Sequence, residues 1–161
     1  MWKEKFKTAN MAEAEEILAF YHSFIGEEGC TWDEGYPAME HVCMDIEKEN
    51  LFLVRDEKGI VATISVDSDA QVDAIDKWEI ANSREAARLA VRKDMQGKSV
   101  ARNMLLLLME ELKRRGYKGI HFLVSPDNPA ALASYQKLVF ENRGIVNMYG
   151  RDWYCYEKKI D

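Results

Sequence analysis

Gln96-Gly97-Lys98-Ser99-Val100-Ala101 is a short polar turn between a strand-like run, "RLAV" (88–91), and a long stretch of helical periodicity. A helix start leaves its first backbone N–H groups without intrahelical acceptors and carries partial positive charge. A turn of little side-chain bulk lets an anion reach those groups. Lys98 and Arg102 add cationic side chains nearby. A phosphate or pyrophosphate suits such a turn. The alternative is an ordinary strand-to-helix loop that uses Gly97 only to turn. The nucleotide motifs G-x-x-x-x-G-K-[ST] and G-x-G-x-x-G are both absent.

Further along, Asn128 and Tyr135 stand two helical turns apart and share a helix face, with the small Ala131 between them. A polar Asn, a small Ala and a phenol in line suit a groove for a thin ligand. Read alone, Asn128 is equally an N-cap before Pro129, and Tyr135 a core aromatic with a wet tip.

Together the two constellations resemble the GNAT superfamily of acetyl-coenzyme A-dependent N-acetyltransferases. That family carries R/Q-x-x-G-x-G/A at a helix start after a strand; here the match is Gln96 to Ala101 after "RLAV". Its next helix carries Asn, then Tyr, then a Gly-Phe pair, matched here by Asn128, Tyr135 and "LVF" (138–140). Ser99 and Val139 stand where the family usually has Gly. Ser99 adds a hydroxyl beside the phosphate position, and Val139 predicts that a glycine-specific backbone geometry is not used there.

The resemblance implies roles. The backbone of Leu89, Ala90 and Val91 would pair with the pantetheine arm. Gln96, Gly97, Lys98, Ser99, Val100 and Ala101 would cradle the pyrophosphate. Asn128 would contact the cofactor arm, and Tyr135 would protonate the departing thiolate. A phenol and a thiol have comparable reference pKa values, which suits that transfer. The amine must also lose a proton. Glu85 is the acidic candidate for that base, with a solvated carboxylate at a strand edge as its plainer reading and a water chain as a substitute. The resemblance places the acceptor near the first helices. The loop "EEGCTWDEGYP" (27–37) supplies Trp32 and Tyr36 among acidic residues, a composition suited to a cationic amine; a surface loop with one packed Trp is the alternative.

The elements that must position these residues read β-α-α-β-β-β-α-β-α-β-β, an α/β (α+β) fold with a mixed, mostly antiparallel sheet flanked by helices. Residues 3–9 read as a first strand, and Asn10 with Glu13 as a capping box. Pro37 suits a first helical turn, residues 51–67 a hairpin, and 85–91 a strand. Residues 67–83 are polar and without clear pattern. The stripe Ala101, Met104, Leu105, Leu108 and Leu112 ends at Gly116. The strand 119–124, a helix from Asn128 to near Val139, and two strands about Gly150 complete the pattern. The length of 161 residues fits a single domain over 1–161.

A net charge of -6 argues against binding nucleic acid through phosphate neutralisation. The absence of an 18-residue apolar run predicts no membrane span, and the charged N-terminus no signal peptide. Cys30, Cys43 and Cys155 form no C-x-x-C pair, and the three His lack zinc spacing, so no metal is expected. The chain therefore reads as a cytoplasmic enzyme moving an acetyl group from acetyl-coenzyme A to a small-molecule amine or a peptide N-terminus, with a homodimer left open. The alternatives are a GNAT-fold protein that binds acyl-coenzyme A without catalysis and an α/β interaction domain with no cofactor.

Overall fold

A computed structural model describes residues 2–161, apart from the side chain at position 130. Seven strands follow the order β1-β2-β3-β4-β5-β7-β6. The chain divides into two compact units: residues up to Val66 with Arg88–Met104, and Asp67–Ala87 with Leu105–Asp161. Strand β4 (Ser83–Val91) and helix α5 (Val100–Arg114) each run through both.

In the first unit the expected opening strand is mostly a helix. α1 spans Trp2–Lys5, closed by a bond from Phe6 N to Trp2 O, and only Lys7–Thr8 forms β1. Phe6, which follows this helix, stacks on Phe52 with ring centroids 4.9 Å apart. Asn10 N donates to Glu13 Oε1 at 3.0 Å, as the capping pattern predicts. A 3-10 turn over Met11–Glu13 leads into α2 (Ala14–His22). Pro37 does not open a helix: α3 is Met39–Glu47 with Ala38 as N-cap. The Pro37 carbonyl instead accepts from His22 Nε2 at 2.8 Å. Hairpin β2 (Leu51–Asp56) and β3 (Gly59–Asp67) presents Leu51, Leu53 and Ile60 to a core shared with Ala14, Ile17 and Tyr21 of α2 and Val42 and Ile46 of α3. Burial of apolar area on this scale is the main stabilising term.

In the second unit Ser83–Glu85 of β4 pair in parallel with Gly119–His121 of β5 (Gly119–Val124). β5 runs antiparallel to β7 (Arg151–Lys159), and β7 to β6 (Glu141–Met148). The polar stretch after β3 is ordered. It holds a short helix, α4 (Ala70–Asp73), capped by Asp69, whose Oδ1 accepts from Gln71 N. The fully buried Glu157 carboxylate accepts from Glu79 N and Ile80 N, and Arg143 donates to it at 2.7 Å. Gly119 is required by the same docking, since a Cβ there would stand 2.6 Å from Ile80 Cγ2. Helix α6 (Pro129–Gln136) stops three residues short of Val139.

His121 is the node of this region. Its Nδ1 is bonded to Ser83 Oγ at 2.7 Å, its Nε2 to Asp73 at 2.9 Å, and the Trp78 ring lies 4.7 Å away. Burial lowers its pKa from 6.5, against the opposing pull of Asp73 and Glu157; Arg84 acts with burial. The unfolded chain therefore takes up this proton before the folded one does. The contribution is complete above about pH 6.5 and is lost as pH falls toward the lowered folded value. His121→Asn removes that dependence, so its melting temperature should fall less steeply than the parent's between pH 7.5 and 5.5. Parallel slopes would refute the assignment.

Candidate active site

The Gln96–Ala101 turn lies wholly in the first unit. A 3-10 turn (Lys93–Met95) precedes it, and Gln96 Nε2 donates to Val91 O at 3.0 Å, tying the turn to the end of β4. Gly97 has φ +76 and Ser99 φ +65, so two residues of the turn are left-handed. Among the described residues, the N–H groups of 97–102 have no backbone acceptor; Asn103 N is the first, bonding Ser99 O. Successive N–H groups in such a turn form a concavity for an anion, reinforced by the helix dipole. No atom lies within 4 Å of a Cβ built on Gly97. Arg102 donates to Ser99 Oγ at 3.0 Å, and Lys98 is exposed. These residues fit a pyrophosphate. Leu89, Ala90 and Val91 close β4, with Ala90 buried and the Val91 carbonyl already engaged by Gln96.

Asn128 and Tyr135 lie in the second unit. Asn128 is an N-cap: its Oδ1 accepts from Ala131 N at 3.2 Å. Tyr135 packs against Phe122 at 4.9 Å, with Phe140 and Tyr156 beyond. Desolvation in this aromatic setting, with Tyr156 adding, pushes its phenol up to about 12. The parity of phenol and thiol reference values is therefore lost. At neutral pH the group stays protonated, and stabilising a thiolate by donating a hydrogen bond is easier for it than full transfer.

Val139 overturns one expectation. Its φ is +59, the left-handed geometry that glycine would supply, on a side chain that is 70% exposed. The turn after α6 needs that backbone, and Val139 N and Leu138 N donate to Gln136 O and Tyr135 O within it. A β-branched residue there costs about 1–2 kcal/mol. Val139→Gly should raise stability by about 1 kcal/mol net of glycine's extra unfolded-state entropy, which is about 2–4 °C in melting temperature for a chain of this size. An unchanged or lower melting temperature would contradict the strained geometry.

Glu85 is buried rather than solvated at an edge. In the register it stands opposite His121. In the first unit Trp32 packs edge-on against Tyr21 and Phe24, so its ring belongs to the core. Tyr36 is 39% exposed, and its hydroxyl accepts from Arg88 Nη1 at 2.9 Å. Sequence reasoning missed Arg88 and Asp45, which form a buried ion pair at 2.9 Å. A lone Arg inside the otherwise apolar "AARLAV" was the available signal. Among the described residues no group of three or more His, Cys, Asp or Glu is placed to hold a metal ion, and no helix is long and apolar enough to cross a membrane.

Comparison with known proteins bears on these arrangements. Residues 12–140 match the model of the acetyltransferase (GNAT) family. An acetyltransferase of Pectobacterium atrosepticum is 31% identical over 111 residues, 65% of this chain and 71% of that protein. Among solved structures, a ribosomal-protein-alanine N-acetyltransferase from Brucella melitensis superposes with a TM-score of 0.75 at 20% identity, covering 96% of this chain and 98% of that one. A phosphinothricin acetyltransferase from Sinorhizobium meliloti in complex with AcCoA gives 0.74 at 15% identity, covering 96% and 87%.

Proposed function

Because the chain belongs to the GNAT acetyltransferase family, we propose that it moves an acetyl group from acetyl-coenzyme A to a primary amine by direct attack. The observation that carries the reading is the turn at the head of α5, with Gly97 and Ser99 left-handed and the N–H groups of 97–102 without backbone acceptors among the described residues. When bound, acetyl-coenzyme A supplies an activated acetyl thioester. Gln96 to Ala101 hold its pyrophosphate through backbone donors, with Lys98 adding charge. The backbone of Leu89, Ala90 and Val91 pairs with the pantetheine arm, and Asn128 contacts the same arm. Tyr135 keeps its proton and donates to the leaving sulfur.

Glu85 is the base in this reading. It is a carboxylate inside β4 that would take the proton released by the attacking ammonium. Tyr36 contributes an exposed ring among Glu27, Glu28, Asp33 and Glu34, a setting for a cationic acceptor. Trp32 supports the Tyr36 loop from the core. The acceptor class is a small-molecule amine or a peptide N-terminus, and the setting is a cytoplasmic protein that acts without metal.

Titration calorimetry with acetyl-coenzyme A tests the first step, and a panel of amines and short peptides with a thiol-release assay tests the second. Cofactor binding together with amine-dependent thiol release is the expected result. No heat and no thermal shift at millimolar acetyl-coenzyme A would refute the cofactor reading.

A further inference from the structure

Arg88 is a non-glycine residue at φ +51 in the middle of β4. Left-handed backbone inside a strand interrupts its regular run, and a side chain there persists only when its surroundings hold it. Hydrogen bonds to Asp45, Tyr36 and Thr63 of the first unit do so. Arg88 Nε and Nη2 donate to the two oxygens of Asp45, on α3, at 3.0 and 3.1 Å. Nη1 donates to the Tyr36 hydroxyl. Thr63 Oγ1, on β3, donates to the Arg88 carbonyl at 3.3 Å. Both charged side chains are almost fully buried, at 3% and 7% exposure. Such a pair contributes little net stability but defines one geometry sharply.

We propose that Arg88 is a positioning residue, whose side chain fixes the left-handed turn of β4 and so aims Leu89, Ala90 and Val91, and which links the exposed Tyr36 loop to that segment. The inference rests on the acetyl-coenzyme A reading, since it concerns the strand assigned to the pantetheine arm. The link runs from Tyr36 through one guanidinium to the backbone of residues 88–91. An acceptor that displaces the Tyr36 hydroxyl thus alters the same guanidinium that sets the cofactor strand.

Removing Arg88 alone would leave Asp45 buried and uncompensated, so the informative variant removes both charges. Arg88→Met with Asp45→Leu replaces the ion pair by apolar groups and keeps the core filled. The expected result is a folded protein, judged by circular dichroism, with acetyl-coenzyme A bound at least tenfold more weakly. Turnover at saturating cofactor should stay within threefold of the parent, so the loss appears in KM and not in kcat. Thr63→Val and Tyr36→Phe should each weaken cofactor binding about threefold without unfolding the chain. Parental affinity in the folded double variant overturns the proposal. If that variant does not fold, parental affinity in both single variants overturns it equally. A parent that binds no acetyl-coenzyme A overturns the cofactor reading itself, a result distinct from equal binding by parent and variants.

Discussion

Tyr135→Phe should lower turnover roughly ten- to several-hundredfold while leaving acetyl-coenzyme A affinity nearly unchanged. The substitution removes one hydroxyl and keeps the ring that packs on Phe122, Phe140 and Tyr156. Stability should therefore hold. The ground-state thioester needs no strong donor, whereas the developing thiolate does, so the loss belongs to the transition state. Because burial pushes the phenol up to about 12, it stays protonated throughout the neutral range. Its contribution should then be flat between pH 6 and 9, and the ratio of parent to variant rates should not change with pH there. Single-turnover measurement with any accepted amine provides the check. Equal rates, with chemistry shown to limit them, would remove Tyr135 from the reaction. A loss of cofactor affinity would make it a binding residue instead.

Gly97→Glu should weaken acetyl-coenzyme A binding by roughly tenfold or more while the fold survives, since one lost charge-assisted contact together with charge repulsion is worth about that much. Two effects act together. A side chain at φ +76 costs about 1 kcal/mol or somewhat more in the free protein. The added carboxylate also stands where the helix N-terminus and Lys98 otherwise attract an anion. Gly97→Ala separates the two, because no atom crowds a Cβ there and only the backbone term remains. Alanine should therefore lower the melting temperature slightly and bind nearly as well as the parent. The glutamate effect should shrink as salt rises and screens the repulsion. Calorimetry at two ionic strengths reads both. Parental affinity in a folded Gly97→Glu protein would place the pyrophosphate elsewhere.

Two of the left-handed positions that carry no glycine give a physical lesson. At Ser99 and Val139 the turn after the preceding element demands a positive φ, and the chain adopts it despite the side chain. Residue type reports a preference of about 1 kcal/mol. The surrounding hydrogen bonds and packing outweigh it, so a Val in a glycine place does not imply a different backbone.

What the sequence by itself determined is whatever depends on neighbours along the chain. The apolar stripe of α5 marks the buried Met104, Leu105, Leu108 and Leu112, because helical spacing alone puts them on one side. Asn10 with Glu13, and Asn128 before Pro129, mark helix starts through bonds that span three residues. The Gly97 turn is legible for the same reason. Only the tertiary structure decided what depends on residues far apart in the chain. Arg88 is 43 positions from Asp45 and 52 from Tyr36, and nothing local announces the bonds among them. The polar stretch at 67–83 looks featureless because the groups that order it, Glu157 and His121, arrive from β7 and β5. Glu85 is buried and stands in register with His121 of β5, a pairing that no local pattern announces. The phenol of Tyr135 is raised by desolvation among rings, two of them on strands β5 and β7, an effect that residue type and spacing do not encode.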